Sequence, residues 1–122
     1  MLGEELLRVH KNYQPLLVKV PRGLIHGLAH ITGGGLIDNL PRILPKNCDA
    51  VIDTDSWRVP EIFNFIGRMG RVDRIEMYQV FNMGIGMVAI VRQRDVTRAK
   101  NILRAKVIGR IERGSGETKL SF

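Results

Sequence analysis

With a single cysteine, Cys48, the chain can form no internal disulfide and offers no thiolate cluster to a metal. Long apolar runs are missing as well. The longest, Ile85 to Val91, is interrupted by Gly86 and is far too short to span a bilayer. The opening residues MLGEELLRVH are acidic where a secretion signal would be basic, and they have no apolar core segment. Internal repeats and low-complexity tracts are absent, as are GxxxxGK[ST], GxGxxG and any Ser-His-Asp spacing. These absences leave a reduced cytoplasmic protein as the expectation, with no membrane partner.

A length of 122 residues is one domain's worth, and 44% hydrophobic with 25% charged residues suits a globular domain. The net charge of +7 is unevenly placed. Residues 1–91 carry ten basic and nine acidic side chains, while residues 92–122 carry nine basic and three acidic. A basic C-terminal third could be a nucleic-acid footprint. No aromatic residues interleave with these charges, however, as a single-strand binder would want. In DVTRAKNILRA, moreover, Val96, Ala99 and Leu103 fall on one helical face while Arg98, Lys100 and Arg104 point elsewhere. A solvated helix face is the better reading, and nucleic acid is not the expected partner.

The periodicities predict the element order α-β-α-β-α-α-β-α-β-β. Glu4 to His10 reads as a short helix, and Leu24–Thr32 as a strand running into glycines. Leu36, Leu40, Ile43 and Leu44 form a helical stripe in which Pro41 should kink or restart the helix. Cys48–Asp53 is a strand. The helix after it, with Pro60 and Glu61 at its start, should bury Ile62, Phe63, Ile66 and Met69 and end at Gly70. Asp73 and Glu76 are spaced as a capping box. Gly84–Val91 is apolar without alternation, the pattern of a strand covered on both faces. After the basic helix, AKVIGRIER and TKLSF supply two strands joined by the turn GSGE. The class is α+β, in α/β/α layers: a mixed sheet covered by helices.

The densest chemical signal is AHITGGGLIDNLPRILP, Ala29 to Pro45. Three glycines between a strand and a helix expose backbone N–H groups at the helix start, where phosphate binds. Thr32 adds a hydroxyl at the rim, and His30 a hydrogen-bonding group at the edge. The plainer alternative is a tight turn or a close strand–helix contact that needs glycine. One glycine satisfies most turns, so three favour the anion site. Other chemistry is thin. His26 and His30 lie apart on a presumed strand with no third ligand, so no metal site is expected. Asp38, Asp53, Asp55 and Glu76 each have a capping or turn role open to them as well as an acid–base one.

Three segments, HGLAHITGGGLIDNLPRILP, AVIDTDSWRVPEIFNFI and EMYQVFNMGIGMVAIV, resemble the C-terminal domain of the phosphoribosylformylglycinamidine cyclo-ligase (AIR synthetase) family. The likeness runs through residues 1–122 in order, with residues 1–20 as a junction segment. It implies a distantly ferredoxin-like α/β/α unit on the substrate side of an enzyme of purine biosynthesis. That enzyme closes formylglycinamidine ribonucleotide to aminoimidazole ribonucleotide with ATP and magnesium, which are bound mainly by an N-terminal domain that this chain lacks. It also implies a homodimer, with Thr32, Gly33, Gly34 and Gly35 on the ribose 5′-phosphate, His30, Asn39 and Arg42 nearby, and Asn82 at the pocket wall. Where the family often reads PTRIY and EMYRTFN, this chain has VHKNY and EMYQVFN, so Gln79 and Val80 replace a polar pair that includes an arginine. Alone, the chain is expected to be inactive, with Leu6, Leu7, Leu16 and Leu17 as candidate docking residues. A free-standing basic module, binding nucleic acid or a separate ATP-binding subunit, is the alternative.

Overall fold

The computed structural model describes all 122 residues. The chain passes through α1 (Leu2–Leu6), α2 (Gln14–Leu17), β1 (Ile25–His30), α3 (Gly35–Asn39), β2 (Cys48–Asp53), α4 (Glu61–Gly70), α5 (Arg74–Val80), β3 (Met87–Val91), α6 (Val96–Leu103), β4 (Gly109–Arg113) and β5 (Thr118–Ser121). This is the expected α+β chain, with α2 as an additional short helix. Leu36 and Leu40 carry the apolar stripe inward and are fully buried. Pro41 cannot continue the hydrogen-bond ladder of α3, and the chain tightens into a 3₁₀ turn at Leu40–Ile43.

Two expectations about helix ends are corrected. Met69 is 72% exposed, because it lies off the face of α4 that carries Phe63 and Ile66 to the core. The residue that closes α4 in a left-handed conformation is Arg71, at φ 50°, rather than Gly70. Asp73 does cap α5, its carboxylate accepting the Ile75 N–H at 2.9 Å.

The strands divide between two sheets. β1 and β3 form an antiparallel pair, and β2 lies at the centre of a mixed three-stranded sheet in the order β4-β2-β5. β2 runs antiparallel to β4 and parallel to β5. The Gly114–Glu117 turn therefore does not make a hairpin of the last two strands; it carries the chain past the end of β2 to its other edge. The core joins both sheets through Ala29, Ile31, Leu36, Leu40, Ala50, Ile52, Trp57, Met77, Tyr78 and Met83. Trp57 spans it and donates its indole N–H to the Met83 carbonyl at 3.0 Å.

Asp49 explains the turn. Its side chain is completely buried, and one carboxylate oxygen accepts the N–H groups of Ser115, Gly116 and Glu117 at 2.8, 3.0 and 2.9 Å. The other oxygen lies 2.6 Å from the Lys119 ammonium. Gly114 packs directly on the carboxyl, where a Cβ would overlap it. The Lys119 partner and the turn amides hold the Asp49 carboxyl well below the usual carboxylate range.

A carboxylate more acidic in the folded than in the unfolded chain stabilises the fold above its unfolded pKa of about 3.9, and that contribution fades as the pH falls below it. The urea midpoint of the native chain should therefore drop between pH 5 and pH 3 by more than that of Asp49→Asn, which starts lower at neutral pH. Parallel acid limbs for the two proteins would show that the carboxylate charge does not hold the turn.

Candidate functional site

Antiparallel pairing sets the geometry of the site. His30 at the end of β1 lies opposite Met87 at the start of β3, and the Ile31 N–H donates to the Gly86 carbonyl at 2.9 Å. The loop leaving β1, Thr32–Gly34, and the turn entering β3, Phe81–Gly86, therefore sit side by side at one end of the ladder. Both are glycine-bearing loops, and both are anchored to the short helices that flank them.

The three glycines are not equivalent. Gly35 (φ 59°) lies beneath the last turn of α5, and a Cβ there would overlap the Tyr78 carbonyl and come within 2.6 Å of the Phe81 carbonyl. Gly34 (φ 99°) is left-handed and faces Asp38 Cβ at 2.8 Å. Close packing and turn conformation thus account for both. Gly33 has neither constraint: its φ is not positive, and nothing lies within 4 Å of a Cβ built on it. The Gly35 N–H bonds to the Thr32 carbonyl at 3.0 Å, whereas the N–H groups of Gly33 and Gly34 donate to no protein acceptor.

Asn39 holds the loop in shape. Its amide, 4% exposed, accepts the Thr32 N–H at 2.9 Å and the Thr32 hydroxyl at 3.3 Å, and donates to the Gly33 carbonyl at 3.1 Å. The expected ligand-binding residue is thus occupied as a clamp. Asn82 is also engaged: its side-chain oxygen accepts the Gly84 N–H at 2.9 Å, closing an Asx turn, while its NH₂ has no protein partner. Met83, buried and at φ 53°, and Gly84, whose Cβ would press on Pro60, complete that turn.

The structure adds two residues that the sequence did not point to. His10 and His30 meet with ring nitrogens 3.1 Å apart, and Tyr13 stands edge-on to His30 with its hydroxyl against Gly86. The segment His10–Tyr13 therefore lies across the same end of the ladder. Nothing in local spacing signals a pairing between residues twenty positions apart. Arg42 is exposed on the 3₁₀ turn, outside the hydrogen bonds that join the other residues. Asp53 takes its turn role, accepting the Asp55 N–H at 3.0 Å. No three His, Cys, Asp or Glu side chains converge.

Residues 2–120 match the family model described as AIR synthase related protein, C-terminal domain. Among curated proteins, the chain is similar to phosphoribosylformylglycinamidine cyclo-ligases. It is 46% identical to that of Syntrophus aciditrophicus over 95% of the chain and 35% of the relative. For Pseudothermotoga lettingae the identity is 52%, over 84% of the chain and 30% of the relative. For Bacillus subtilis it is 44%, over 96% of the chain and 36% of the relative. The chain thus spans about a third of the length of these relatives.

The glycines separate by substitution. Gly35→Ala forces a side chain into two carbonyls at positive φ and should destabilise the fold by well over about 1 kcal/mol. Gly33→Ala should stay within about 0.5 kcal/mol of the native chain. Denaturant melts of the two variants decide it, and equal losses would refute the distinction.

Proposed function

We propose, from the premise that this chain belongs to the AIR synthase related C-terminal domain family, that it is the substrate-side part of a phosphoribosylformylglycinamidine cyclo-ligase. The reaction would be the ATP-dependent closure of formylglycinamidine ribonucleotide to aminoimidazole ribonucleotide in purine biosynthesis. The observation that carries the loop's role is the pair of unpartnered amides at Gly33 and Gly34, on a segment where Gly33 leaves open space.

In this reading the two amides receive the ribose 5′-phosphate, and the Thr32 hydroxyl, which donates to Asn39, stands at the rim. Hydrogen bonds to a charged acceptor contribute about 1.5–3 kcal/mol each. That binding is remote from the ring-forming atoms, so its use is to fix the substrate for attack of the amidine nitrogen on the formyl carbon. Asn39 acts through the loop, by aiming the amides. The free NH₂ of Asn82 supplies a donor from the neighbouring turn, and His30, held by His10, lines the edge. Arg42 contributes positive charge nearby without a defined contact.

ATP and magnesium do not fit the residues present. A hard cation carrying a triphosphate takes carboxylate oxygens, and no such group converges here. The proposal gives both to the N-terminal part of the enzyme, and with them the chemical activation of the formyl oxygen. It also takes the working assembly as a cytoplasmic homodimer, as the family resemblance implies; no helix of this chain is long and apolar enough to cross a membrane. The free-standing basic module gains no support, because the relatives named are cyclo-ligases.

Isothermal titration of the 122-residue chain with the ribonucleotide should show binding but no ATP-dependent ring closure. Gly33→Val should weaken that binding about tenfold or more, the loss of one charge-assisted hydrogen bond, with its urea midpoint nearly unmoved. Turnover by the native chain would refute the division of labour. Unchanged affinity in a folded Gly33→Val would reduce the loop to a turn.

A further inference from the structure

β3 and β4 are each paired on one side only, and the edge strands of the two sheets border a common cleft. The cleft encloses about 520 Å³ and takes in all of β3, the first half of β4, the inner face of α6 and the N-terminal leucines Leu16 and Leu17. Its walls are mostly apolar. Six basic side chains stand around it, Lys11, Arg58, Lys100, Arg104, Lys106 and Arg110, and no acidic one.

The sequence of β3, MVAIV, is that of a strand covered on both faces, yet every one of its residues is only half-buried. Leu28 and Ile111, also lining the cleft, are 39% and 40% exposed. An open edge of this kind, apolar and without an inward charge or proline, is what soluble proteins avoid leaving bare. A small ligand could cover the apolar walls, but it would leave two rows of strand amides and carbonyls unpaired. An added strand would satisfy both.

We infer that the cleft receives an extended, apolar strand with acidic flanking residues, donated by polypeptide from the remaining two-thirds of a cyclo-ligase, which joins the two sheets into one. This rests on the reading that the chain works within that longer enzyme. Main-chain hydrogen bonds to β3 and β4 hold the strand, its apolar side chains fill the cleft, and its acidic flanks meet the basic rim. Of the four leucines expected to dock a partner, Leu16 and Leu17 belong to this surface. Leu6 and Leu7 are exposed outside it.

Overlapping peptides of about twelve residues, twice a typical strand, tiled over the part of the Bacillus subtilis relative that this chain does not match, provide the probe. One apolar, acid-flanked peptide should bind the 122-residue chain and slow amide exchange at least tenfold in both Met87–Val91 and Gly109–Arg113. Ile111→Lys, at a half-exposed position, should abolish that protection, whereas Ile75→Lys on the exposed side of α5 should leave it intact. Failure of every peptide to bind, protection of one strand without the other, or protection of both by self-association alone would overturn the proposal. Ribonucleotide affinity reports on the glycine loop separately: strand binding with no such affinity would refute the loop's role and leave the insertion standing.

Discussion

The contact between the Gly35 backbone and the carbonyls of Tyr78 and Phe81 constrains everything around the site. No side chain separates α3 from the end of α5, so the two helices meet backbone to backbone. That approach draws the loop after β1 and the turn before β3 to one end of the ladder. It also drives Leu36 fully into the core beside Met77 and Tyr78. The left-handed turn at Gly34 follows, because the chain must reverse within the four residues between β1 and α3 to enter α3 at that depth. Asn39 then locks the result, its one buried amide tying Thr32 and Gly33 to the end of α3.

Much of this was legible where the cause is local. Cys48–Asp53 announces itself as a strand through its apolar run and its turn residues, and the break at Pro41 follows from proline's missing donor. The glycine loop was legible as a special backbone but not in its reasons. The atoms that exclude a Cβ from Gly35 belong to α5, far along the chain, so three glycines that suggested one shared task have three different surroundings. The same limit applies to β5. Its place beside β2 is settled by a carboxylate beneath a distant turn, and neither residue carries that information alone. His10 and His30 are a third case, joined only once the N-terminal segment has folded over β1.

Met69 and Arg71 show the complementary failure, in which local rules were followed and tertiary structure overrode them. Glycine is the favoured left-handed terminator, yet α4 runs through Gly70 and turns on Arg71 instead. The Val72 N–H donates to the Gly67 carbonyl at 3.0 Å, and Val72 packs against the core. Burying Val72 there requires one more helical residue, and the left-handed strain passes to Arg71. Met69 is exposed for a separate reason: it lies off the face of α4 that Phe63 and Ile66 turn to the core.

The glycine loop and the edges of β3 and β4 both leave backbone hydrogen-bonding groups without protein partners, and their geometries ask for different things. At the glycine loop the free donors are two consecutive amides in a turn, an arrangement that suits a single multi-oxygen anion. Along β3 and β4 the free groups alternate donor and acceptor in a straight row, at the spacing of a strand. An anion cannot match the alternation, and a strand cannot follow the turn. The surroundings differ in the same sense: open space beside Gly33, apolar walls along the cleft. A chain that buries only 16 of its 122 residues has little core with which to hold such edges in place alone. The loop is secured by Asn39 and Gly35 from within, but the two sheets are joined only through the core beneath them. The loop can therefore present its amides without further support, whereas the position of β3 relative to β4 is the part of the fold that an added strand would fix.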